Sequence, residues 1–274
     1  MARAVADAPV VVEVGAGPGS LAAAVRAAGF EGGYVCVERS AALRAAAAEQ
    51  VPGVEVVAAL PAGPVDGVVL ANELLDNLPF DLLERGPDGW WEVRVGPGPA
   101  EELVPAAPDD AALAERLAPG ASPGARVPVQ REAAASLRSA LGLLRRGRVV
   151  VVDYADTTAS LAGRPWLDWV RTYRAHGRGG HPLDDPGSQD ITCEVAVDQL
   201  ATLVRPPDRD SAQADWLRAH GLDDLVAEAR ATWHERAALG DLQALRARSR
   251  VGEADALTDP TGLGAFRVLE WEVG

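Results

Sequence analysis

The sequence predicts an α/β fold, a doubly wound and mostly parallel sheet with an antiparallel strand at the C-terminus. Three observations point there. Short β-branched runs alternate with alanine-rich helical stretches over the first seventy residues. A glycine-rich turn joins the first such run to the first helix. The last run, Phe266–Val273, alternates apolar and polar residues as a half-buried strand does.

The elements follow in order. Val10–Val14 is β-branched, bounded by Pro9 and Gly15, and reads as a buried strand. Ser20–Ala28 is a helix closed by Gly29. Tyr34–Glu38 is a second strand, and Ser40 caps a second helix running to about Gln50. Val54–Ala58 and Val65–Ala71 supply a third and a fourth strand. Residues 96–127, rich in Pro, Gly, Ala and Asp, read as an irregular excursion with one short helix near Asp109–Leu117. Val129–Leu144 is a long amphipathic helix, and Arg148–Tyr154 a fifth strand. A mostly helical insertion is expected over about 155–260, interrupted by a strand at Ile191–Val197. Residues 1–274 are expected to form one domain.

Composition narrows the function classes. The net charge is −14 and arginine supplies every basic residue besides histidine. Nucleic-acid binding draws its affinity from phosphate neutralisation, so a nucleic-acid partner is not expected. The densest basic cluster, Arg145, Arg146 and Arg148, is expected at a helix C-terminus, where cations complement the dipole. No apolar run reaches the length of a membrane span, so no membrane partner is expected. Cys36 and Cys193 lie in apolar strand-like runs and read as reduced thiols of a cytoplasmic protein. The histidines and acids near His176, His181, Asp184 and Asp185 match no metal-ligand spacing, so no metal is expected.

The chemistry concentrates at strand ends. Glu13-Val14-Gly15-Ala16-Gly17-Pro18-Gly19 is acidic-x-G-x-G-x-G and not the G-x-G-x-x-G of dinucleotide sites. Pro18 removes one N–H from a loop that would otherwise cradle phosphate. An adenosyl ligand without phosphates fits better, and S-adenosylmethionine (SAM) is one. Gly15, Gly17 and Gly19 are the loop expected against it, and Glu13 is placed to orient its amino-acid part, directly or through the loop. Glu38, ending the second strand, is placed to accept both ribose hydroxyls. Asn72 and Glu73 follow the fourth strand and face the same crevice. Glu73 and Asp76 stand three apart, on one face if the segment is helical. Their alternative reading is a pair of acids at a helix N-terminus. Asn77-Leu78-Pro79-Phe80 resembles the Asn-x-Pro-aromatic motif of base methylation but lies too far beyond the strand end, so Pro79 and Phe80 read as structural.

Over nearly its whole length the chain resembles the MidA-type methyltransferases, which include the mitochondrial complex I assembly factor that methylates arginine. The resemblance rests on Glu13–Leu21, Val37–Ser40, Ala71–Pro79, Val152–Tyr154, Tyr173–His176, Asp185–Thr192 and Gly264–Leu269. It implies a class I SAM-methyltransferase (Rossmann-like) fold, SAM as cofactor and arginine N-methylation of a protein substrate. It implies that Glu73 and Asp76 grip a guanidinium, with Asp153 as the alternative, and that Asp190, Thr192 and His176 shape the substrate site. Relatives carry several dozen residues before the first strand, including a Gly-Asp-Phe segment that helps enclose SAM. This chain starts almost at the strand, so either the true start lies upstream or this is a short form with an open cofactor site. Two other readings stand beside it, a catalytically weak SAM-binding assembly protein and a nicotinamide-dependent oxidoreductase.

Overall fold

The computed structural model describes residues 1–174 and 177–274. The chain folds as two compact units. The first comprises Met1–Asn72, Leu143–Val152 and Asp208–Gly274, and the second Glu73–Gly142 and Asp153–Pro207.

The first unit is built on a seven-stranded sheet. Strands are numbered along the whole chain: β1 (Val10–Val14), β2 (Gly33–Val37), β3 (Glu55–Val57), β4 (Val65–Asn72), β9 (Leu144–Asp153), β15 (Arg209–Ala212) and β16 (Arg267–Val273). Their order is β15-β16-β9-β4-β1-β2-β3. The pairs β1–β2, β1–β4, β2–β3 and β4–β9 are parallel, while β15 and β16 are antiparallel. Helices α1 (Ser20–Ala27) and α2 (Ala41–Gln50) make the crossovers. Val11, Val12, Val69, Leu70, Val149, Val150 and Val151 are nearly inaccessible, as the β-branched runs require of a sheet covered on both faces. Strands β4 and β9 approach closely at Gly147 (φ 126°), where a Cβ would stand 1.8 Å from the Gly67 carbonyl oxygen. Helices α8 (Gln213–Ala219), α9 (Leu222–Arg236) and α10 (Leu242–Thr258) complete the unit.

The second unit is richer in strands than the sequence suggests. Strands β5 (Asp81–Arg85), β6 (Trp90–Gly96), β7 (Ala100–Pro105) and β8 (Arg126–Val129) form an antiparallel sheet ordered β7-β6-β5-β8. The expected irregular excursion over 96–127 is therefore a hairpin strand, the helix α3 (Pro108–Leu117) and the approach to β8. Leu83, Trp90, Leu113, Val127 and Val129 make its core. Helix α4 (Arg131–Leu143) leads back to β9. The insertion expected to be mostly helical divides. Up to Pro207 it contains β10 (Ala155–Asp156), β11 (Val170–Arg174), β12 (Gly177–Arg178), β13 (Asp190–Cys193) and β14 (Val195–Ala196). The short helices α5 (Thr158–Ala162), α6 (Trp166–Trp169) and α7 (Val197–Leu203) accompany them. Only the part from Asp208 onward is dominated by helix, and it belongs to the first unit.

The arginine cluster also lies elsewhere than expected. Arg145, Arg146 and Arg148 are on β9, which begins at Leu144, and not at a helix end. Arg145 Nε donates to Asp66 at 2.9 Å and Arg148 stands 3.5 Å from Glu270, so Arg145 and Arg148 are met by carboxylates and not by a dipole.

Candidate active site

In the first unit the chain leaves β1 at Val14 and enters α1 at Ser20 through the glycine turn. Gly15, Gly17 and Gly19 hold φ of 74°, 54° and 85°, a region that a side chain would strain. The N–H groups of Gly15 and Ala16 donate to Val37 O at 2.9 and 3.2 Å, which ties the turn to the end of β2. A Cβ on Gly19 would press on Ala47 of α2 at 3.2 Å, whereas one on Gly17 would meet nothing within 4 Å. The crest of the turn is thus open, and its base is packed.

Glu38 faces that turn. Its Oε2 accepts the Gly17 N–H at 3.0 Å and its Oε1 accepts the Ser40 N–H at 2.8 Å. Arg44 steadies the segment by donating to Glu38 O at 2.9 Å. A carboxylate oxygen accepts more than one hydrogen bond, so acceptor capacity remains for a vicinal diol. The Ser40 Oγ accepts from Leu43 N at 3.3 Å, the helix cap that the sequence predicts.

Glu13 is buried on β1 and accepts the Tyr34 hydroxyl at 2.7 Å. Burial pushes its pKa up to about 7, against the opposing pull of the Tyr34 bond. Its Oε2 is thus engaged within the sheet, just before the glycine turn. Tyr34 itself went unnoticed in the sequence. The signal was its place in a strand, opposite Val11 in register and so beside Glu13.

In the second unit the carboxylates gather at a turn. Glu73 follows the last residue of β4, Asn72, with φ of 49°, and Leu75–Asn77 is a single 3-10 turn. The segment is therefore not the regular helix on which Glu73 and Asp76 were expected to share a face. Glu73 is exposed and Asp76 is buried. They still sense each other: burial first and the Glu73 charge second raise the pKa of Asp76 to about 6. Asn77 clamps the turn, donating from Nδ2 to Asp76 Oδ1 at 2.7 Å and to Glu73 O at 3.1 Å.

Asp153 holds this turn from below. Its carboxylate accepts the N–H groups of Leu75 at 2.9 Å, Asp76 at 3.3 Å and Tyr154 at 2.9 Å. Burial, with the nearby Asp76 charge, raises its pKa well above the usual carboxylate range. Asp153 therefore shapes the site through the backbone. Tyr154 adds an aromatic wall, with the Arg171 guanidinium carbon 5.3 Å from its ring centre. Asp190 and Thr192 lie on β13, paired with Tyr173 and Arg171 of β11, and β13 packs against the Leu75–Asn77 turn. Asp190 is exposed and Thr192 half-buried. His176 lies outside the described residues. Among the described residues no cluster of His, Cys, Asp and Glu is arranged to hold a metal, and no helix is long and apolar enough to cross a membrane.

Comparison with known proteins bears on this geometry. A family model described as "Putative S-adenosyl-L-methionine-dependent methyltransferase" matches residues 2–212. A crystal structure from Burkholderia thailandensis with S-adenosyl-homocysteine bound superposes with a TM-score of 0.79 at 27% identity, covering 99% of this chain and 74% of that one. A second Burkholderia thailandensis structure, of an uncharacterised protein, gives a TM-score of 0.80 at 27% identity over 99% of this chain and 75% of that one. No curated protein matches.

Proposed function

The chain belongs to the SAM-dependent methyltransferase family matched over residues 2–212, and from that premise we propose that it methylates the guanidinium of an arginine in a protein substrate. Bound SAM supplies an electrophilic methyl group on its sulfonium. Glu38 and the Gly15–Gly19 turn would hold the adenosyl part. The open crest at Gly17, with a carboxylate fixed beside it, suits a ligand that brings hydroxyls and no phosphate.

The observation that carries the substrate reading is the Glu73–Asp76 pair. Two carboxylates that raise each other's energy are relieved by a delocalised cation. A guanidinium gripped between them would present one nitrogen to the methyl group. Methyl transfer releases one N–H proton, because the product guanidinium keeps a single positive charge. Asp76, with a pKa near 6, is matched to accept that proton near neutrality. Most of the acceleration then comes from positioning. Both free cysteines are buried, which fits a reducing cytoplasmic setting.

The test joins calorimetry with labelling. SAM is titrated into the protein, and methyl-labelled SAM is then incubated with host lysate and the modified residues are identified by mass spectrometry. Micromolar SAM binding with label on arginine supports the proposal. Label on another residue type, or binding without transfer, overturns the arginine reading.

A further inference from the structure

The second unit carries a groove that the chemistry above leaves unused. It has a volume of about 400 Å³ and begins at Asn77, the residue after Asp76. Its floor is apolar: Phe80, Leu82, Val93, Val170, Leu183 and Ile191. Ile191 is 42% exposed and sits on β13 between Asp190 and Thr192, so the groove and the carboxylate turn share a wall. Of its three lining charges, Asp81 is exposed to solvent and the other two are satisfied locally. Arg94 is held by Glu92 through two hydrogen bonds of 2.9 Å, and Glu101 binds Arg126 at 2.8 Å. A patch of this kind, mostly apolar and with two of its three charges already paired, offers more to a neighbouring aliphatic or aromatic side chain than to an isolated arginine.

We propose that this groove reads the sequence around the target arginine, seating an apolar side chain of the substrate polypeptide close to the arginine whose guanidinium enters at Asp76. The inference rests on the arginine reading given above. Continuity argues for the occupant: the groove lining begins at Asn77, directly after the buried carboxylate of Asp76, so a chain delivering arginine to the first passes over the second. An extended peptide advances about 3.3 Å per residue, so three residues to either side of the arginine sample about 10 Å of the surface beside Asp76. The acidic chain as a whole favours a cationic peptide over an acidic one.

The experiment uses synthetic peptides with one arginine in a glycine-serine background and a single leucine at each of three positions to either side. The wild-type enzyme is expected to prefer one leucine position over the leucine-free peptide by about tenfold in kcat/KM, expressed mainly in KM. Ile191→Asp and Leu183→Ser are each expected to bring that ratio towards one. Equal SAM affinity and melting temperature in the variants show that the site remains folded. If the wild type methylates arginine peptides but ignores leucine at every position, the groove assignment is overturned while the arginine reading stands. If leucine matters but both variants keep the full preference, the groove is likewise not the reader. If no arginine peptide reacts, with or without leucine, the arginine reading falls and the occupant proposed here falls with it.

Discussion

The backbone N–H of Asp76 donates to the carboxylate of Asp153 at 3.3 Å, so one buried acid positions another. Leu75 N–H shares the same oxygen at 2.9 Å. The arrangement holds two acids of like charge together because the first is engaged by backbone dipoles and the second by Asn77.

Asp153→Ala is expected to release this turn. It leaves the Leu75, Asp76 and Tyr154 donors without their acceptor, at about 1–3 kcal/mol for each buried group left unmade. The melting temperature should fall by several degrees. Methyl transfer should fall at least a hundredfold, mostly in kcat. Calorimetric SAM titration of the folded variant should change far less, because the glycine turn and Glu38 are untouched.

Asp76 sets a pH dependence. Its pKa in the folded protein, about 6, lies above its ordinary 3.8, so the folded state binds more protons between those values. Stability is therefore fullest below about pH 4 with respect to this group and declines as pH rises through about 6. Activity runs the opposite way, since gripping a guanidinium needs the ionised form, and kcat/KM should rise about tenfold from pH 5 to pH 8. Asp76→Asn should abolish that rise along with most activity. At pH 8 it should also stabilise the fold, by up to about 3 kcal/mol, since it removes a buried charge beside Glu73. Paired thermal melts and pH–rate profiles read both effects.

Glu38 joins the second strand's end to the cofactor turn. Glu38→Ala removes the acceptors of the Gly17 and Ser40 N–H groups. Calorimetric SAM affinity is expected to drop at least tenfold, with only a small loss of melting temperature because the site is half-buried. Glu38→Gln keeps an acceptor and should lie between the two. Unchanged affinity in Glu38→Ala would place the ribose elsewhere.

The first unit was legible because its signals are local. A β-branched run, a glycine turn and an alanine-rich helix each announce themselves within a few residues, and the parallel sheet follows from their alternation. Strands β6 and β7 were not legible. Pro97-Gly98 looked like the start of an irregular stretch, yet Gly98 at φ 75° is the corner of a hairpin. Residues Ala100–Glu102 are charged or small and exposed, so no apolar alternation marked the strand. At the site, the acids at the strand ends could be picked out by type and position. The work of Asp153 could not, because its partners are the backbone of Leu75 and Asp76, 78 and 77 residues away. The left-handed conformation of Glu73 was equally hidden, since nothing in Asn-Glu-Leu-Leu distinguishes it from a helix start.

Gln130 gives the second unit a test that does not touch the carboxylates. It is almost wholly inaccessible and joins three segments. Its Oε1 accepts the Ala196 N–H at 2.6 Å, and its Nε2 donates to Glu194 O at 3.0 Å. Its own N–H donates to Gln199 Oε1 at 3.0 Å, and Gln199 Nε2 reaches back to Pro128 O at 2.7 Å. Gln130→Leu preserves much of the volume but strands the Ala196 donor and the Glu194 acceptor, a loss of about 2–4 kcal/mol. Gln130→Glu is more informative. It keeps an acceptor for Ala196 and buries a titratable acid whose folded pKa must rise. The unfolded chain then binds fewer protons than the folded one between the two pKa values, so the variant loses stability as pH rises through that window. Its melting temperature should approach wild type at pH 5 and fall clearly below it at pH 8, while Gln130→Leu is depressed at both. Equal depression of Gln130→Glu at the two pH values would show that position 130 is reached by solvent, and the buried network would then not be what fixes β14 and α7 to β8.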